Sequence, residues 1–169
     1  MSSNGAIVME YCQNKRRCRK LAEEEEERLK VALHKAEKMQ EKFLLYSKHS
    51  IYASAHAIHR MQERAIHPSE VHGVIECGFP IDFAYIPHPY FVDKGYIFTF
   101  CGEGDYGQSL HVICSLPPLS PGSQRWILTV RTVYDPSLYP EEWNEDFTRR
   151  VCFCYARPEQ YDETSDYEL

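Results

Sequence analysis

The chain has no apolar run approaching membrane-spanning length, so a transmembrane helix is excluded. Ala6-Ile7-Val8-Met9 is far too short for the h-region of a secretory leader, and no Asn-x-Ser/Thr sequon occurs. No internal repeat is present, which excludes a solenoid or propeller. No C-x(2–4)-C pair occurs among the seven cysteines, although that spacing marks most structural zinc sites. A strongly basic balance is missing too. The formal charge is −6, and tight non-specific nucleic-acid binding needs a basic surface to neutralise phosphates. These absences point to a cytoplasmic protein with reduced thiols.

At 169 residues, 43% hydrophobic and 13% aromatic, the chain suits one globular domain with extensions and excludes wholesale disorder. Charge divides it into three parts. Residues 1–46 carry ten Lys/Arg against eight Glu, residues 47–150 eight against twelve acidic residues, and residues 151–169 one against five. The expected organisation is an N-terminal helical extension over 1–46, a folded domain over 47–150 and an acidic tail over 151–169, frayed from Arg157 onward.

Neither Pro nor Gly interrupts residues 14–46. Leu29, Ala32/Leu33, Ala36, Met39/Gln40 and Phe43 recur at three- and four-residue spacing, which predicts one long helix. Its half from Leu29 to Phe43 needs apolar cover, from the core or from a second copy. Ser54 is a suitable N-cap for a second helix reaching about Ala65. Pro68 opens a third, closed near Gly78. Four strand-like segments follow: Ile81–Ile86, Gly95–Cys101, Leu110–Leu116 and Arg125–Tyr134, separated by turn-rich pieces. Residues 47–53 read as a short connection or an edge strand. Pro140 is expected to begin a last short helix that docks Trp143 and Phe147. The fold class is therefore α+β, a four-stranded antiparallel sheet packed with two short helices, plus the long N-terminal helix.

The second helix carries the most informative pattern. His56, Arg60 and Arg64 lie at successive i, i+4 steps of one face, opposite an apolar stripe of Ala57, Ile58, Met61 and Ala65. An imidazole above two guanidiniums suits gripping and protonating a phosphate ester. The same face could instead be surface charge paired with Glu63, Glu70 or Glu76. His111 points away from Leu110, Val112 and Cys114 on its strand, and Tyr134 lies near the end of the last strand.

Together His56-Ala57-x-x-Arg60-Met61-x-Glu63-Arg64-x-Ile66, Ser69-Glu70-Val71, Leu110-His111-Val112 and Thr132-Val133-Tyr134-x-Pro136 with Trp143 resemble a bacterial domain-of-unknown-function family. That family is grouped with the RelE/barnase-like toxin superfamily. The resemblance covers about residues 47–147. Ala65 stands where the family usually has Gly. The resemblance implies metal-independent RNA cleavage. For that chemistry the candidate catalytic residues are His56 or His111 as base or acid, Arg60 and Arg64 as a phosphate clamp, and Tyr134 as proton donor or stacking ring. The partners it implies are RNA and a cognate protein inhibitor, with self-association through the N-terminal helix as another route. The alternative is a non-catalytic protein-interaction module that keeps the toxin-like fold.

No cofactor and no metal are expected. His56 and His59 are three apart with His49 nearby, and Cys152 and Cys154 form C-x-C. Cys12 and Cys18 are six apart, so on a continuous helix they would sit about 240° around the axis and could not share an ion. Cys77, Cys101 and Cys114 read as small buried hydrophobes. Lys15-Arg16-Arg17-Cys18-Arg19-Lys20 is a basic cluster at a helix N-terminus, where positive charge opposes the dipole. It could touch RNA or an acidic partner, or be a solvated helix end balanced by Glu23–Glu27.

Overall fold

The computed structural model describes residues 12–86, 95–154 and 166–168. The long helix α1 spans Lys15–Leu45, and the Asn14 side chain caps it by accepting from the Arg17 N–H. A six-residue strand β1, His49–Ser54, leads directly into helix α2, Ala55–Glu63. Ser54 closes that helix start, accepting from the Ala57 N–H at 3.1 Å. Helix α3, Pro68–Cys77, begins in a reciprocal cap, with His67 accepting from Ser69 and the Glu70 carboxylate accepting the His67 N–H. The strands β2 (Phe79–Ile86), β3 (Gly95–Glu103), β4 (Ser109–Leu116) and β5 (Trp126–Tyr134) form an antiparallel meander.

The sheet is not four-stranded. β1 joins it parallel to β5, with His49 opposite Trp126 and Ala53 opposite Val130. A three-residue strand β6, Asp166–Glu168, then pairs antiparallel with β1. The order is β2-β3-β4-β5-β1-β6, so the sheet is mixed and mostly antiparallel. β1 buries only Ile51 and Ala53 among polar neighbours before Ser54. Its place comes from backbone pairing with a strand far away in sequence, not from a continuous apolar run. The rest of the segment expected to fray lies outside the described residues.

All three helices lie on one face of the sheet. Ala36 and Phe43 of α1, Ala57 and Met61 of α2, and Val71, Val74 and Ile75 of α3 share a core with Phe98, Phe100, Leu110, Val112, Leu128 and Val133. Phe43 meets Trp126 edge-on at 5.7 Å, so the core covers α1 at Ala36 and Phe43, while Leu29 and Leu33 are only partly buried. The aromatic content serves the sheet: Phe83 packs across strands on Phe98 at 4.8 Å, and Phe98 stacks on Phe100 at 5.2 Å.

The opposite face is covered by the chain after β5. Ile81, Cys101, Tyr134 and Trp143 are buried there, with Tyr139 and Phe147 packed against them. The helix expected from Pro140 does not form. A single 3-10 turn spans Pro136–Leu138, and Trp143 pairs with Arg150 across a tight loop. Within that loop Asn144 accepts the N–H groups of Thr148 and Arg149, and Phe147 takes φ 59°. Side-chain capping by Asn competes with helix formation. Trp143 and Phe147 still dock, carried by a loop.

Two local details follow from backbone sterics. Gly78 ends α3 without a left-handed turn. A Cβ there would lie 2.4 Å from the Val74 carbonyl oxygen and 2.6 Å from that of Cys101. Ala65 follows the α2 cap at φ 51°, with Ile66 N–H bonded to Met61 O and Ala65 N–H to Gln62 O. This is the reverse-turn cap in which Gly is usual, so the alanine is strained there. Ala65→Gly should therefore stabilise the fold by up to about 1 kcal/mol, the left-handed penalty less the glycine chain entropy. A lower urea midpoint for that variant would contradict the assignment.

Candidate functional site

The five residues of the expected catalytic set separate into two groups. His56, Arg60 and Arg64 lie along α2, half-buried. Arg60 directs its Nε–H toward His56 Nε2 at 3.5 Å and its Nη1 to the Glu63 carboxylate at 2.9 Å. The Arg60 hydrogen bond holds the Glu63 carboxyl below its ordinary range, and His59, 3.0 Å from Glu63, adds to it. Arg64 reaches across to donate from Nη1 to the Val133 carbonyl and so ties α2 to the end of β5. Met61 is buried as the apolar stripe requires, while Ile58 is partly buried.

His111 and Tyr134 belong to the other face. His111 is fully buried, and its ring meets Tyr134 at 5.1 Å and Trp143 at 4.4 Å. Nε2 lies 2.8 Å from the Phe147 carbonyl and Nδ1 2.9 Å from the Tyr134 hydroxyl. A carbonyl only accepts, so Nε2 carries the proton and Nδ1 accepts from Tyr134 O–H. Both ring nitrogens are committed. Strand alternation places this pair across the sheet from the α2 side chains, since Leu110, Val112 and Val133 belong to the helix-side core.

A second feature is an open groove of ≈ 910 Å³ between α1 and the β2–β3 edge. Lys35, Lys38 and Lys42 line it from one helical face, and Phe83, Tyr85 and Tyr96 from the sheet. Tyr85 and Val31 are among the exposed large hydrophobic side chains of the protein. Arg28 at one end donates to the Phe83 carbonyl and pairs with Glu25 and Asp82.

A third feature overturns an expectation. Cys12, Cys18, Cys152 and Cys154 place their sulfurs within 4.8 Å of one another. The helical-wheel separation of Cys12 and Cys18 does not apply, because α1 starts at Lys15 and the chain at Cys12 is not helical. All four are free thiols. Burial holds the Cys152 thiol well above its ordinary range. At Cys154 burial acts the same way, but hydrogen bonds from Cys18 and the Asn14 backbone outweigh it and lower the pKa. Cys101 and Cys114 are core residues, and burial pushes Cys101 up to about 11 and Cys114 higher. Cys77 is exposed, contrary to its reading as a buried hydrophobe. The sequence signals for the quartet were the C-x-C pair and the basic cluster around Cys18.

The fold thus defines a mixed-sheet α+β domain with helices on one face and a looped cover on the other. Residues 53–135 match the model of a family described as a domain of unknown function, DUF4258. The match runs from the end of β1 through β5 and contains His56, Arg60, Arg64, His111 and Tyr134. It leaves out α1 and all four clustered cysteines. Comparison with curated proteins gives no match, and comparison with solved structures gives none either. No helix among the described residues is long and apolar enough to cross a membrane.

Proposed function

We propose that this protein is a non-catalytic binding module whose groove between α1 and the β2–β3 edge takes an acidic, aromatic-bearing segment of a partner protein. The observation that carries this reading is the pairing of three lysines on one helical face with an aromatic wall. Apolar anchors in a concave site with a charged rim are what peptide recognition uses. Lys35, Lys38 and Lys42 select negative charge, and Phe83, Tyr85 and Tyr96 provide contact area for a ring or a branched side chain. RNA is disfavoured by the acidic balance of the rest of the chain.

A second reading is metal-independent RNA cleavage at α2, favoured by the contact between His56 and Arg60. In that reading His56 exchanges the proton and Arg60 and Arg64 hold the phosphate. It has to proceed without His111 and Tyr134, which are hydrogen-bonded to each other inside the opposite face.

One set of measurements separates the two. A fluorescein-labelled peptide alternating Glu with Phe and Leu should bind the full chain with an affinity that falls as salt rises. Replacing Lys35 and Lys38 together by Glu should weaken it on the order of 10-fold or more. Cleavage of single-stranded RNA by the purified protein, lost on Arg60→Ala, would overturn the binding-module reading. Unchanged peptide affinity in the double variant would remove the groove from it.

A further inference from the structure

We infer that Cys12, Cys18, Cys152 and Cys154 form a closed tetrathiolate zinc site that fastens the start of α1 to the segment following the Asn144–Arg150 loop. The geometry is that of a coordination shell. A tetrahedral ion with metal–sulfur bonds of about 2.3 Å spaces its sulfurs about 3.8 Å apart. The observed separations are 3.8 Å for Cys12–Cys154, 3.9 Å for Cys18–Cys152 and 3.5 Å for Cys18–Cys154. Disulfide pairing would need two sulfurs near 2 Å and no reason for four to converge. The Phe153 N–H donates to Cys18 Sγ at 3.2 Å, the kind of backbone contact that orients and stabilises a ligating thiolate.

Charge supports the same conclusion. Zinc binding releases four thiol protons to solvent and leaves a centre of net charge −2. Cys18 lies in the first turns of α1, where the helix dipole favours negative charge. Lys15, Arg16, Arg17, Arg19 and Lys20 flank it in sequence. These cations oppose the dipole on their own and are accounted for by a dianionic centre beside them. Four protein ligands leave no open position, so the role is structural and not hydrolytic. The centre joins residues 134 positions apart and draws the looped cover against the long helix, where Arg149 pairs with Glu26 at 2.9 Å. All four ligands fall outside residues 53–135, the stretch that matches the family model.

The test is metal analysis of the purified full-length protein, with thiol counting under denaturing conditions. About one zinc per chain is expected, retained through gel filtration and released by a strong chelator or by a thiol-blocking mercurial. Loading with cobalt(II) should give the intense visible bands and sulfur charge-transfer absorption of a tetrahedral tetrathiolate. Cys18→Ser and Cys152→Ser should each lose the metal and those bands, and C77S should keep both. The wild-type measurements alone decide the matter if the ligand variants fail to fold. Seven free thiols with no metal after expression in zinc-supplemented medium would overturn the proposal. So would a disulfide within the quartet, or iron in place of zinc.

Discussion

Trp126→Ala should lower the unfolding free energy by about 3–5 kcal/mol, the range for deleting a large buried aromatic ring. Trp126 is 2% exposed and joins two parts of the molecule. It starts β5, while its ring packs edge-on against Phe43 at 5.7 Å and Tyr46 at 5.8 Å, with Lys42 Nζ 5.8 Å above it. Its indole N–H donates to the Pro117 carbonyl at 2.8 Å, so truncation also leaves that acceptor unpaired. Phe43→Ala should cost a similar amount, and the double variant less than the two losses added, because the rings contact each other. Urea unfolding of the four proteins measures this. A Phe43→Ala loss under about 1 kcal/mol would mean that α1 contributes no core, against the burial of Phe43.

His111→Ala should be the second large effect, about 2–5 kcal/mol of stability. Each buried polar group that loses its partner costs about 1–3 kcal/mol, and here the Tyr134 hydroxyl and the Phe147 carbonyl both lose the hydrogen bond they make to the His111 ring. Tyr134→Phe removes one hydroxyl and should cost about 1–3 kcal/mol by the same argument. A catalytic His111 would behave differently: it would change a rate and leave the unfolding midpoint in place. Thermal and urea unfolding of His111→Ala, beside an RNA-cleavage assay, distinguishes the two. A stable variant with altered cleavage would return His111 to the chemistry.

The helices were legible because their ends are written locally. Asn14, Ser54 and Pro68 start them and Gly78 stops the third, through hydrogen bonds and sterics within a few residues. The meander was legible because turn-rich pieces separate apolar strands. β1 was legible only as a connection or an edge strand, because Ile51 and Ala53 are a weak pattern and the decisive pairing is with residues 126–130. The loop holding Trp143 hid for a related reason. Pro140 starts helices well, yet Asn144 captures the backbone that a helix would need. At the α2 face, spacing correctly put His56 and Arg60 side by side. It could not show that His111 and Tyr134, the right residue types for catalysis, satisfy each other inside the opposite layer. The cysteine quartet showed only as a C-x-C pair and a basic cluster, because Cys18 and Cys152 lie 134 positions apart and local spacing cannot join them.

The parallel pairing of β1 with β5 bears on how the chain acquires its shape. β1 leaves the ribosome long before Trp126–Val130 exist, and among the described residues no strand nearer in sequence pairs with it. Until then Ile51 and Ala53 lack the strand they pair with and Phe43 lacks the Trp126 ring, so the nascent chain presents that apolar surface until β5 is made. Contacts of such long sequence separation close slowly, because the loop entropy must be overcome before any pairing is gained. The β2–β5 meander, whose strands are near neighbours, is the natural first unit to form. The pairing of β1 with β5 is then the contact of long sequence separation that the fold has to close.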